Sequence, residues 1–470
     1  MLYHYPLFEC RPAVAKVGAP TRVAIIPEGN CRFFRDEIEY ELWICGSRDD
    51  MFDYHDPIEP NVACKAEDGY LWFEYTFERE MEYSVRFREK GGSFTEVFMY
   101  AVKEDLYALR PLKGDLHTHS YYSDGRDDTV MVPAVYRENG YDFFALTDHN
   151  RYYTSEMLRD AYKDVKLGMC LLHGEEVHTP GSELHIVHIG GSESIADRYI
   201  HDPEGFEKEV EEIKKTMTHV PEQYRDRVAK AKWTCENAKK LGGIAIFAHP
   251  FWRSNIFNVS EDFCNLLFDE NIFDAFELVG GVLMDENNLQ LALWQEQWFK
   301  GNRIPGVGSS DSHFHAFMKG HFGKAFTIAF AKDNTEESIL EAIRGGMCVA
   351  VELGTNEPTE AHVYGDFRLV QFAHFLFKYY FEATKRLYAG EGSMMRRYIR
   401  EEIDGELLSA FAEEGDKFYK RFYGLMPVVT PSADRKAFYE KWRTHQIEQG
   451  PPTKGSVLYF YGGGKNKAQY

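Results

Sequence analysis

Two histidines one residue apart, His117 and His119, stand in the stretch Asp115-Leu116-His117-Thr118-His119-Ser120-Tyr121-Tyr122-Ser123-Asp124-Gly125. In an extended strand, residues i and i+2 face the same side, so both imidazoles aim at one point. Asp124 follows within a short turn. Imidazole and carboxylate aimed together are an arrangement for holding a cation. A single His-x-His pair is often incidental, so its meaning depends on partners elsewhere.

The chain supplies them. Asp148-His149-Asn150, His173-Gly174-Glu175-Glu176-Val177-His178, His185 with His188, His249-Pro250 and Asp311-Ser312-His313 each follow or flank an apolar run. Each has a plain structural reading. Asp148 could cap a helix, and His249 could be a hydrogen-bonded core histidine. Taken together the plain reading is strained, because burying so many ionisable groups without a cation is costly.

The elements that must position these residues alternate. Strand-like runs cover Phe143 to Thr147, Cys170 to Leu172, Leu184 to Ile189, Ile244 to Ala248, Phe273 to Val279, Ile304 to Val307 and Ala325 to Phe330. Helical stretches lie between many of them: Thr129 to Asn139, Glu222 to Leu241, and roughly Ser260 to Asp269, Asp285 to Lys300 and Glu336 to Arg344. Strand, helix, strand in repetition predicts parallel α/β of barrel length over residues 111–355, with strand ends converging on one rim. Residues 1–110 carry short alternating strands separated by turns such as Pro27-Glu28-Gly29-Asn30, which predicts a β-sandwich. Residues 356–470 have apolar and aromatic residues at helical spacing and read as mainly helical, with that stripe most simply a core.

Composition narrows the functions. The 470 residues carry a net charge of −21, with no basic tract of the kind a sequence-independent nucleic-acid binder needs. The eight cysteines form no C-x-x-C pair, which predicts reduced thiols. Neither a signal peptide nor an apolar run of about 18 residues is visible, so the expectation is a cytoplasmic protein without a membrane partner.

The middle region resembles the PHP (polymerase and histidinol phosphatase) phosphoesterases. The resemblance rests on D-L-H-T-H-S-x-x-S-D-G, A-L-T-D-H, G-x-E-V, H-x-V, A-H-P and S-D-S-H, in that order, over about half the chain. It implies a distorted (β/α)7 TIM-like barrel and a three-metal site. By that resemblance the ligands are His117, His119, Asp124, His149, Glu176, His185, His249, Asp311 and His313. Glu176 is preferred to Glu175 because it fits G-x-E-V, and His185 to His188 because it follows Glu183-Leu184. Asp148 and Glu277 are expected to orient an imidazole or a bound water.

Imidazole and carboxylate ligands without thiolate suit Mn, Fe or Zn. Three divalent cations against Asp124, Glu176 and Asp311 leave a surplus of roughly +3 for a phosphate and a hydroxide. The expected activity is hydrolysis of a small phosphomonoester or nucleotide by a metal-bridging hydroxide, with Arg253, Arg151 or Arg126 holding phosphate oxygens. A phosphodiesterase or exonuclease of the same family is the alternative, and a metal-bound scaffold without catalysis is another. The acidic charge counts against an extended nucleic acid as partner. A homo-oligomer through either flanking region is open.

Overall fold

The computed structural model describes residues 7–29, 33–47, 60–253, 255–281, 284–315, 322–354 and 361–449, with the side chains of 443–449 left aside. The chain divides into two compact units, Met1–Val102 with Arg421–Tyr470, and Lys103–Lys420. The helical region expected from residue 356 onward is therefore shared between both units.

In the first unit, β1 (Phe8–Arg11), β3 (Pro20–Pro27), β6 (Tyr70–Thr76) and β5 (Cys64–Glu67) form one sheet, in the order β1-β3-β6-β5. β2 (Val14–Lys16), β8 (Thr95–Val102), β7 (Met81–Glu89) and β4 (Tyr40–Cys45) form the other, in the order β2-β8-β7-β4. Alternation decides what faces inward: Tyr83, Val85 and Phe87 of β7 are buried while their neighbours are partly exposed. Residues of both sheets, among them Ile25, Leu71, Val85 and Met99, share one core. The helix Ala433–Gln449 belongs to this unit, and the Tyr70 hydroxyl donates to the Val429 carbonyl at 3.2 Å.

The second unit carries β9 (Arg110–Asp115), β10 (Phe143–Ala145), β11 (Cys170–Leu172), β12 (Gly174–Val177), β13 (Ile186–Ile189), β14 (Ile244–Phe247), β15 (Ala275–Val279), β16 (Gly306–Gly308), β17 (Ala325–Ala331), β18 (Cys348–Leu353) and β19 (Ala361–Tyr364). They make two sheets, β11-β10-β9-β17-β18-β19 and β12-β13-β14-β15-β16. The expectation of uniformly parallel strands is corrected. β13 runs antiparallel to both β12 and β14, and β17 runs antiparallel to β9. No continuous ladder joins the two sheets among the described residues. Single parallel bridges, His149↔Glu176 and Thr118↔Ser312, link them.

Helices fill the connections much as the periodicity predicts: Val132–Glu138, Glu222–Lys240, Glu261–Asp269, Met284–Lys300 and Glu336–Arg344. Gly242, at φ +90°, ends the long helix Glu222–Lys240 in a conformation that favours glycine. The apolar strands β13, β14 and β9 contribute Val187, Ile246 and Leu112 to one buried cluster.

Helix Glu382–Ile399 is tied to helix Val132–Glu138 by a buried ion pair. Arg137 Nε donates to Glu391 Oε2 at 2.7 Å and Arg137 Nη1 to the Tyr141 carbonyl at 2.8 Å. The guanidinium lies 3.3 Å from the Tyr388 ring centroid. The Gly168 amide donates to the other Glu391 oxygen at 2.6 Å. Breaking a buried pair strands the remaining charge in low dielectric. Glu391→Ala is expected to destabilise the second unit by about 3–5 kcal/mol, read as a lowered denaturant midpoint. An unchanged midpoint would show the pair to be dispensable.

Candidate metal centre

The loop that carries His117, His119 and Asp124 leaves β9 and is held by Asp148. One Asp148 oxygen accepts from the Ser120 amide at 2.7 Å and the Ser123 hydroxyl at 2.6 Å, and the other from the Ser120 hydroxyl at 2.6 Å. Asp148 therefore anchors the loop rather than an imidazole, and reaches His119 Nδ1 only through Ser123, 3.4 Å away. A side chain at Gly125 would meet the His119 carbonyl at 2.5 Å, so glycine lets the loop fold back and present Asp124.

Adjacent residues of β12 point to opposite faces. Glu175 turns away, accepting from the Ile195 amide at 2.5 Å and the Ser194 hydroxyl at 2.9 Å, with His188 beside it at 3.4 Å. Glu176 turns inward. Its Oε2 lies 2.8 Å from His149 Nδ1, 3.3 Å from His117 Nε2 and 3.4 Å from His119 Nε2. Its Oε1 lies 2.8 Å from His185 Nδ1 and 3.4 Å from His249 Nε2. The reversal of β13 explains His185: it precedes the strand, so a start takes the place that a strand end holds elsewhere.

Asp311 adds an oxygen 3.1 Å from His119 Nε2 and 3.5 Å from His117 Nε2. It adopts φ +48°, a left-handed conformation that aspartate tolerates better than most residues. On the outer side, Asp124 lies 3.3 Å from His149 Nε2 and 3.2 Å from His313 Nε2. The structure thus brings together all nine side chains named from the motifs.

Glu277, on β15, receives His117 Nδ1 at 2.9 Å, which leaves Nε2 facing the cluster. His178 joins although the motifs did not mark it as a ligand. It lies 3.0 Å from His149 Nδ1 and its ring stacks on His185 at 3.9 Å. The signal was present as spacing, since His178 stands two residues beyond Glu176 and so on the same face. The three arginines do not enter the cluster. Arg253 pairs with Asp285 at 2.7 Å, Arg151 is exposed and reaches only the His149 carbonyl at 3.5 Å, and the Arg126 guanidinium lies 6.0 Å from the Phe314 ring centroid.

The donor set fits a cation. His117 Nε2, His119 Nε2, His185 Nδ1 and both Glu176 oxygens are buried without a well-formed hydrogen bond. Groups with ligand atoms within 4.8 Å of one another include His119–Asp124–His149–His313, His117–His119–Glu176 and Glu176–His185–His249. Electrostatics agree. Burial disfavours the charge on Glu176 and Asp311, yet the surrounding imidazoles, His117 first, hold both carboxyls well below their usual range. Burial disfavours a protonated His149, yet Asp124 and Glu176 push it up to about 10. Burial draws His185 down to about 4.

No family model matches the chain. The DNA polymerase/3'-5' exonuclease PolX of Bacillus subtilis is 32% identical over 105 residues, 19% of this chain, and the match spans only 18% of that relative's length. A two-domain protein of Bacteroides vulgatus containing a predicted PHP-like metal-dependent phosphoesterase is 22% identical, with a TM-score of 0.36 over 53% of this chain and 67% of its own. Endonuclease Q, solved with a duplex carrying an abasic lesion, is 18% identical, with a TM-score of 0.32 over 53% of this chain and 61% of its own. Scores this low carry no weight for fold or function. In its six ordered motifs, the region that carries these side chains resembles the PHP phosphoesterases.

Protons and cations compete for these imidazoles. With His149 raised to about 10, the cation-free centre holds protons at neutral pH. Loading with Mn²⁺ or Zn²⁺ is therefore expected to release protons, seen by calorimetry in buffers of different ionisation enthalpy. Affinity should weaken as pH falls from about 8 to about 6. Glu277→Gln should weaken binding by about 10–100-fold. Proton-neutral, pH-independent binding would contradict this electrostatic account.

Proposed function

We propose that the chain is a metal-dependent phosphoesterase acting on a small phosphomonoester or nucleotide, with up to three divalent cations of Mn, Fe or Zn in this centre. The observation that carries the reading is the convergence of nine motif side chains from dispersed segments into one cluster, five of them directly around Glu176. His117, His119, Glu176, His185, His249 and Asp311 would form the inner part, and Asp124, His149 and His313 the outer part. His178 would add to the inner edge. In this reading β9, β10, β12, β13, β14, β15 and β16 form a seven-stranded barrel closed by the bridges His149↔Glu176 and Thr118↔Ser312.

Bound cations would supply Lewis acidity for an attacking water and for the phosphoryl oxygens. The protein's own part is positioning. Glu277 faces His117 Nδ1 and would hold a proton there, leaving Nε2 for a cation. Glu176 offers its two oxygens to different imidazoles, tying the two halves of the centre together. Asp148 fixes the loop that carries His119 and Asp124. Substrate anchoring by Arg151 or Arg126 remains part of the proposal, whereas Arg253 would first have to leave Asp285.

A nuclease or phosphodiesterase is the second reading, and the PolX match favours it specifically. The net charge of −21 does not exclude nucleic acid, because a local cluster of cations reverses the field where the substrate binds. A non-catalytic scaffold is the third reading.

The reading is tested with protein purified without chelator, supplied with Mn²⁺, and offered phosphomonoesters beside bis(p-nitrophenyl) phosphate. Faster monoester turnover is expected, and loss of both motif histidines in His117→Ala/His119→Ala should cost about 10²-fold or more. Unchanged turnover in that variant would refute the assignment. Diester preference would move the conclusion to the second reading.

A further inference from the structure

Three of the ligand-bearing loops continue outward into aromatic residues. Tyr121 and Tyr122 follow His119, Tyr153 follows His149 by four residues, and Trp252 follows His249 by three. All stand within four residues of His119, His149 or His249, whose side chains meet at one centre. Trp252 is the best located. Its ring centroid lies 6.2 Å from that of His185 and 6.4 Å from that of His249, and the residue remains 37% exposed. Tyr121 and Tyr122 lie 4.5 Å apart by centroid, and Tyr122 meets Tyr153 edge-on at 6.0 Å. Tyr121 and Tyr153 are 52% and 49% exposed. Large rings are more often placed in a core, where each buries much apolar surface. Here Trp252 stays open to solvent beside a polar, cation-fitted centre, and Tyr121 and Tyr153 stay open within their own cluster.

We propose that Trp252 is the specificity-determining contact for a planar aromatic ring carried by the group esterified to the phosphate, with the Tyr121–Tyr122–Tyr153 cluster as a second aromatic surface at the same mouth. The proposal rests on the phosphoesterase reading for the position of the phosphate. The ring contact itself follows from the placement of Trp252. An indole face attracts another planar π-system in offset or edge-on geometry and offers an alkyl chain less. Base–aromatic stacking of this kind is tolerant of which ring it meets. A nucleobase and a simple aryl group share the required chemistry.

The test uses non-hydrolysable phosphonates, so it does not depend on turnover. Phenylphosphonate, methylphosphonate and a nucleoside 5'-phosphonate are titrated by calorimetry into the full chain loaded with Mn²⁺. Phenylphosphonate is expected to bind about tenfold tighter than methylphosphonate, by a stacking contribution of ordinary size. That preference should collapse toward unity in Trp252→Ala and be largely kept in Trp252→Phe. Tyr153→Ala should reduce it by a smaller factor. A nucleoside phosphonate that binds tighter still would identify the ring as a nucleobase, and one that binds no tighter would identify a smaller aryl group. Equal binding of the phenyl and methyl compounds, or a preference that survives Trp252→Ala, overturns the proposal. A ring preference that depends on Trp252 in a protein without phosphoesterase turnover would sustain the contact and refute the catalytic reading alone.

Discussion

The structure turns on the cost of burying like charges together. Glu176, Asp311 and Glu277 are all buried, within a few ångströms of imidazoles that are themselves buried. Desolvation disfavours every charged form, and hydrogen bonds among the groups do not satisfy the inward-facing atoms of His117, His119 and Glu176. Protons on the imidazoles balance these carboxylates in the cation-free centre, and a divalent cation would supply the charge in a more compact form. The surrounding elements then read as support. The Asp148 loop anchor, the Glu277–His117 contact and the outward turn of Glu175 each leave an imidazole or carboxylate atom aimed inward.

Support also comes from outside the strands. Helix Glu382–Ile399 fixes helix Val132–Glu138 through Arg137 and Glu391, and the Tyr388 hydroxyl of the same helix donates to Asp142 at 2.8 Å, next to the start of β10. β10 leads to Asp148 and His149. A helical segment with no ligand of its own thus bears on the geometry of the centre.

Much of the centre was legible because its residues are tied to local pattern. His-x-His spacing and an acid or imidazole after several of the apolar runs are statements about neighbours in sequence, and the structure keeps them for His117, His119, His149, His249 and Asp311, while His185 stands before its strand. Other parts depend on distant pairing. The reversal of β13 cannot be seen in Ile186–Ile189, since an apolar run does not carry its direction, yet it decides that His185 rather than His188 meets Glu176. Arg253 followed His249 in sequence and looked available, but its partner Asp285 is 32 residues away. Asp148 stands next to His149 in sequence, yet its hydrogen bonds go to Ser120 and Ser123, in a loop some 25 residues earlier. Helix Pro203–Thr216 leaves little apolar pattern in the sequence because it buries only Phe206 and Val210.

The most direct measurement is an anomalous difference map from crystals grown with Mn²⁺ and without chelator. The account predicts metal peaks at coordination distance, about 2.0–2.3 Å, from Glu176 together with His117, His119, His185, His249 or Asp311, and a further peak among Asp124, His149 and His313. Ordered side chains in this arrangement with no anomalous peak, their inward atoms bonded to water instead, would contradict it.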